Sequence, residues 1–402
     1  MSFDVAAVRS QYPALDDGWA YLDGAAGTQV PRSVVAAVAR AWEQGIGNHG
    51  GAFAASTRSD AHTDGARAAV ADLVGAPDPQ GVLLGPTMTA MTYRVAAALA
   101  ATWAPGDEVV LTRLDHDANV RPWVQVAERA GAVVRFVDPV LPSLDLPLEQ
   151  FADVIGPRTR LVALTAASNV VGTRPSVREI CDAAHAVGAV TYVDGVHATP
   201  HGPVDVVALG ADLYATSAYK WSGPHLGAVV GDPALLDGLH PDRLASSPPQ
   251  VPWRFELGTH PFAQHAGLAA AVDHLAALAP GSAGSDRRSA LLASMAVVEE
   301  HETELFAVLL AGLGALPHVH PVGAPTRRTP TAFFTVDGRT PQQVAEHCAA
   351  RRVNVWAGHM YAWELTGLLG IRDSGSAVRA GLVHYNDRGD VDRLLEALDE
   401  LR

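Results

Sequence analysis

What most limits the fold of this chain is a rhythm. Between Pro31 and Val230, stretches with helical periodicity take turns with short apolar runs. The helical stretches are Pro31–Gln44, Arg58–Val74, Thr89–Thr102, Asp117–Ala130 and Ser176–Val187. The apolar runs are Val82–Leu84, Glu108–Leu111, Ala132–Val137, Leu161–Thr165, Ala189–Val193, Asp212–Thr216 and Leu226–Val230. Strands that read as unbroken apolar runs are covered on both faces, and a helix between two strands makes them parallel. The expected fold is α/β, on a mostly parallel seven-stranded sheet. Local signals mark several helix ends. Pro31 suits a first turn, Ser176 with Glu179 reads as a capping box, and Gly75, Gly131 and Gly188 stand where helices stop.

After Val230 the rhythm changes. Gly238–Thr259 is proline-rich and reads as loop, a helix is expected at Pro261–Leu278, and Pro280–Ser285 reads as a hinge. A long helix (Arg287–Leu313), a strand (Ala332–Val336), a helix (Pro341–Arg351) and a strand (Val353–Trp356) follow. A strand–helix unit over Ala377–Tyr385 and Val391–Leu401 closes the chain. The expected division is a large domain over residues 21–279 and a small α+β domain over 280–402, with the segment 1–20 packing on the small one.

Composition excludes several function classes. The net charge is −14 with both signs interspersed, which argues against a nucleic-acid binder. No uncharged apolar run reaches the roughly 18 residues of a membrane span, and Met1–Ala20 lacks the apolar core of a secretory signal. Two cysteines, Cys181 and Cys348, make no disulfide framework and read as packing residues of amphipathic helices. A cytoplasmic protein is expected.

One count is unusual. Of 29 Lys and Arg residues, Lys220 is the only lysine. It follows a strand and precedes a Gly/Pro turn, so it lies just past a strand's carboxyl end, where open parallel sheets bind ligands. The run Ala189–Val193 ends in Asp194, on the same sheet edge. An amine and a carboxylate converging there suit pyridoxal 5'-phosphate: the amine forms a Schiff base and the carboxylate keeps the pyridine nitrogen protonated. Leu83–Thr89 runs from strand through Gly85 into a helix. The amides of that helix start, with the hydroxyls of Thr87 and Thr89 and that of Ser217, would cradle the phosphate.

These residues resemble the class V aminotransferase family, in its cysteine-desulfurase-like subgroup of fold-type I pyridoxal-phosphate enzymes, over nearly the whole chain. Tyr21–Ala26 resembles that family's opening motif. Leu114–Trp123 resembles its His-His-Ala-Asn-x-x-Pro-Trp element, which implies that His116 stacks on the cofactor ring. Ser168–Thr173 resembles Ser-Asn-Val-x-Gly, placing Asn169 beside the cofactor. By the same resemblance Asp194 is the pyridinium partner, His197 lies near the phenolic oxygen, Thr87-Met88 forms the phosphate turn, Ser217 binds phosphate and Lys220 is the Schiff-base lysine. Gly258-Thr259 resembles the segment that reaches a neighbouring subunit's phosphate, which implies a homodimer. Arg379 matches the arginine that binds the substrate carboxylate.

The departures bear on the reaction. Where the desulfurases carry Arg-x-Gly-x-x-Cys, this chain has Trp356-Ala357-Gly358-His359-Met360-Tyr361, so no persulfide forms on that loop. Trp356 and Tyr361 are expected to wall the substrate side chain. The lysine's neighbour, usually His, is Tyr219, and the usual Thr-Thr turn is Thr87-Met88. The expected chemistry is β-elimination of the C–S lyase kind on an amino acid. The alternatives are transamination, epimerisation or racemisation, and a non-catalytic binding protein of the same fold. The G-x-G-x-x-G at Gly45–Gly50 follows a helix rather than a strand, so it reads as an active-site loop, with Asn48 and His49 as candidate substrate contacts. His197 and His201 are too weak a pair to predict a metal site.

Overall fold

The computed structural model describes residues 3–281 and 284–402. Its centre is a seven-stranded sheet. The strands are β1 (Val82–Gly85), β2 (Glu108–Thr112), β3 (Val133–Val137), β4 (Thr159–Thr165), β5 (Val190–Asp194), β6 (Leu213–Ser217) and β7 (Gly227–Gly231). They lie in the order β1-β7-β6-β5-β4-β2-β3. β7 runs antiparallel to both neighbours, and every other pairing is parallel. The apolar runs of the sequence have a direct cause here. Alternate residues of one strand enter different cores: Val162 and Leu164 one, Leu161 and Ala163 the other. Each face of the sheet is thus buried under helices.

Carboxyl ends of the parallel strands gather on one edge. Four residues past β2 stands His116; four past β4, Asn169. Asp194 ends β5, and Lys220 lies three past β6. Strand topology alone brings these four side chains together from positions far apart in sequence.

The C-terminal part has its own four-stranded sheet, ordered β10-β11-β9-β8 and wholly antiparallel. These are β8 (Val319–Pro321), β9 (Thr331–Val336), β10 (Trp356–Gly358) and β11 (Ala377–Gly381). The helix Arg287–Ala315 leads into it. Of the hinge stretch Pro280–Ser285, residues 282 and 283 lie outside the described residues. The N-terminal segment is held to this part: the Arg9 guanidinium donates to Tyr385 O and Asp390, and Ala20–Tyr21 pairs with Val353–Asn354. It also touches the large sheet's side, where the Tyr12 hydroxyl meets Ser222 and His274.

Several local expectations are corrected. The strand expected over Val353–Trp356 is two short strands in different sheets, Val353–Asn354 and β10. The helix expected from Asp117 begins at Arg121; Asp117–Asn119 is a tight turn, and Val120 leaves helical geometry at φ −122° and ψ −60°. Ser176 caps no amide with its side chain, so no capping box forms there. Capping boxes form instead at Thr340/Gln343 and Asp387/Asp390. Gly75 and Gly131 close their helices in the left-handed conformation, as stop signals should.

Candidate active site

Eight of the residues singled out in the sequence line one cavity: Met88, Thr89, His116, Asn169, Asp194, His197, Tyr219 and Lys220. Lys220 is 6% exposed, and its Nζ donates to the Ala25 carbonyl at 2.6 Å. Burial, then the Arg379 cation, pull the amine down to about 7 against the opposing pull of Asp194. A buried amine near neutrality is a usable nucleophile. Asp194 accepts the Val196 amide at 2.9 Å. Burial pushes its carboxyl up to about 6, while Lys220 favours the charged form.

His116 caps the Asp117–Asn119 turn, its Nδ1 accepting the Ala118 amide at 3.0 Å. Burial, then nearby Lys220 and Arg379, hold its ring neutral, with the pKa down at about 3. The turn is fixed from below by residues the motif contained but to which no role was assigned. Asn119 donates to buried Asp115 at 2.7 Å and accepts from the Trp123 indole at 3.0 Å. His197 shares a hydrogen bond of 2.9 Å with Thr331 Oγ1, at the start of β9. Thr331 carried no signal in the sequence, because the partnership spans 134 positions.

Ser217 ends β6 and is 1% exposed. Thr87 caps the helix Met88–Ala100, accepting the Ala90 amide at 3.1 Å, and leaves the other first-turn amides free of side-chain caps. Gly227 on β7 lets that helix start lie against the sheet: a Cβ there would collide with the backbone of Thr87 and Met88.

Whether the cavity suits pyridoxal phosphate can be read from unpaired atoms. Asn169 Oδ1, His197 Nδ1 and Ser217 Oγ are buried and have no hydrogen-bond partner among the described residues. Buried polar atoms are seldom left so. A phenolic oxygen and a phosphate would meet them, and the first-turn amides after Thr87 would meet the phosphate as well. The residues fit the group.

Arg379 lies on β11, 4% exposed, and donates to the Asn169 carbonyl at 2.9 Å. Burial brings its guanidinium down to about 10, so it remains a cation. The loop after β10 closes on the same place. Asn169 Nδ2 donates to Met360 O and the Asp117 amide to Tyr361 O, each at 2.8 Å. The Tyr361 ring stacks on His116 with centroids 5.2 Å apart.

Asn48 and His49, expected to meet substrate, do not line this cavity, nor does Thr259, which was expected to reach a neighbouring subunit. Asn48 and His49 are exposed, and His49 stacks on Trp253 at 4.9 Å. Thr259 is exposed and lines a separate cavity with Arg94 and His260. Among the described residues no cluster of three or more His, Cys, Asp or Glu could hold a metal, and no helix is long and apolar enough to cross a membrane.

The model of the family Aminotransferase class-V matches residues 20–394. An uncharacterized protein of Mycobacterium tuberculosis is 35% identical over the full length of both chains. A probable cysteine desulfurase of Pseudomonas aeruginosa is 35% identical, with 97% of this chain and 96% of that one covered. The crystal structure of the cysteine desulfurase CsdA from Escherichia coli superposes with a TM-score of 0.87 at 29% identity, covering 100% of this chain and 99% of that one. The chain belongs to the class V aminotransferase family, in its cysteine-desulfurase-like part, and is a pyridoxal-phosphate-dependent enzyme.

Proposed function

We propose that this enzyme removes the β-substituent of an amino acid, as a C–S lyase does, without a persulfide step. One observation carries the reading. Tyr361, which by the motif resemblance stands where the desulfurases hold cysteine, stacks on His116. The chain's two thiols are elsewhere: Cys181 and Cys348 are buried in helices, and burial pushes both up to about 11. Sulfur leaving a substrate β-carbon therefore has no thiolate of this chain to attack it, and departs as a free thiol.

When bound, pyridoxal phosphate supplies an aldehyde for the amine and an electron sink for the substrate α-carbon. The chain's residues do the rest. Lys220 Nζ would hold the group and, when free, would take the substrate α-proton. Asp194 would pair with the protonated ring nitrogen, and its burial makes that pairing strong. Neutral His116 would lie beside the ring without adding a competing charge. Asn169 and His197 would hold the phenolic oxygen; Ser217, Thr87 and the amides after it the phosphate. Arg379 takes the α-carboxylate, and the loop through Tyr361 shields the proton transfer from water.

Asn48, His49 and Thr259 belong in this reading to the neighbouring site of a homodimer. Their exposure supports it, as does exposed apolar surface at Trp42, Phe53 and Leu257. Free buried cysteines are in keeping with a cytoplasmic setting.

The test is product analysis. Holoenzyme given S-substituted cysteines should release thiol, pyruvate and ammonia in equal amounts. An intact keto acid would show transamination, and loss of chirality without release would show epimerisation; either overturns the reading. A holoenzyme inert to every amino acid offered would favour a binding protein.

A further inference from the structure

The sheet register places one ring beside the substrate carboxylate's anchor. Trp356 on the edge strand β10 lies directly opposite Arg379 on β11, and Arg379 lies opposite Phe333 on β9. Opposed residues in antiparallel strands share a face. That face is turned toward the large domain: Phe333 and Ala377 join its core, whereas Val378, Ala380 and Phe334 on the other face belong to the C-terminal core. Trp356 therefore neighbours Arg379 on the face that carries the site.

A second ring, Tyr361, stands against His116 at the same site. Tyr361 is clamped by the hydrogen bonds from Asp117 and Asn169 described above, with positive φ at both Met360 (49°) and Tyr361 (58°). Such backbone is costly for non-glycine residues, so the clamp holds the ring against local preference. Yet the rings end in solvent: Trp356 is 50% and Tyr361 66% exposed, beside an otherwise buried site. Trp363, 41% exposed, extends the rim through edge contact with His359.

With the carboxylate on Arg379 and the amine at Lys220, a substrate side chain leaves toward this rim. A methyl or thiol would leave both rings in water. A flat ring would bury part of each. We infer that the substrate is an amino acid whose side chain ends in an aromatic or similarly flat, apolar group seated between Trp356 and Tyr361; this rests on the function proposed above.

Holoenzyme is titrated with phenylalanine and S-phenylcysteine against alanine and S-methylcysteine, with binding read from the change in cofactor absorbance. The ring-bearing ligands should bind about tenfold more tightly, the scale of one or two ring contacts. Trp356→Ala and Tyr361→Ala should each shrink that preference severalfold, and Trp356→Phe and Tyr361→Phe should keep most of it. Equal affinities in the parent enzyme, or a preference unmoved in both alanine variants, overturn the inference. So do alanine variants that separate subunits in sedimentation while selectivity stays, since the rings would then be covered by a second copy. Ligand preference is measured whatever products form, so its failure is distinct from failure of the lyase reading.

Discussion

Two clusters of buried charge lie beside the seven-stranded sheet, and they are built differently. In one, Arg67 and Glu256, each with a 2% exposed side chain, form a double ion pair with both contacts at 2.7 Å. Glu256 also accepts the Leu84 amide at 2.6 Å and pairs with His260 at 3.1 Å, while Arg67 donates to Val82 O. None of these atoms is left over. Burial works against the Glu256 charge, but His260 and Arg67 outweigh it and hold the carboxyl below its usual value. In the other cluster, around Lys220, the lysine sits near neutrality and Asn169, His197 and Ser217 each keep an unpaired atom. A polar network complete in itself fixes structure; one that is incomplete is shaped around something it must hold.

Breaking each cluster should give opposite signatures. Lys220→Arg should leave the fold intact and lower turnover by about a thousandfold or more, because a guanidinium stays protonated and neither condenses with an aldehyde nor takes a proton. The borohydride-sensitive visible band should vanish, and a variant that keeps it would break the comparison. Arg67→Met should do the reverse. Stranding Glu256 in the interior should cost about 3–5 kcal/mol in denaturant unfolding, while folded enzyme keeps the band and its catalytic rate.

pH sharpens the contrast. The Lys220 amine attacks only when neutral, and in the cofactor-free protein it titrates at about 7. Cofactor uptake should therefore fall about tenfold per unit below pH 7 and level off above it. Its folded value lies below the ordinary 10.5, so folding expels a proton between those limits. The lysine's contribution to stability accordingly rises with pH through that window, a slope that Lys220→Met should remove. Stopped-flow uptake and denaturant titration across pH check both signs. The smallest effect is expected at the edge of the open cluster. Thr331→Val leaves His197 Nε2 without its partner, a loss of about 1 kcal/mol. It should weaken cofactor affinity severalfold and shift the pH at which the bound cofactor changes colour; an unchanged spectrum would mean that His197 does not meet the cofactor.

Much of this was legible in the sequence where chemistry and local order coincide. All seven sheet strands could be placed because each is an apolar run bounded by turns. Lys220 and Asp194 could be placed because each follows such a run by a few residues, and His116 and Asn169 because the motifs around them resemble those of a known family. The short helices Leu148–Val154, Pro233–Asp237 and Trp363–Leu368 escaped notice, since one or two turns carry too little periodicity. Long-range partners escaped for another reason. Nothing near Trp356 announces that it will face Arg379, nor near Thr331 that it will meet His197; only strand register decides that. Asn48 and His49 mark a third case: their loop reads as an active-site loop, yet both residues are exposed and lie outside the cavity.

The solitary lysine has one more consequence. A protease that cuts only after lysine has a single target in the whole chain, the bond between Lys220 and the fully buried Trp221. Cleavage cannot occur while the sheet edge is closed, so the rate at which the polypeptide falls into two pieces counts how often that edge opens. Ligands that seat in the cavity should lengthen the life of the intact chain in proportion to how tightly they bind. The residue that makes the chemistry possible thus doubles as a clock for the molecule's own opening, read on a gel without any label.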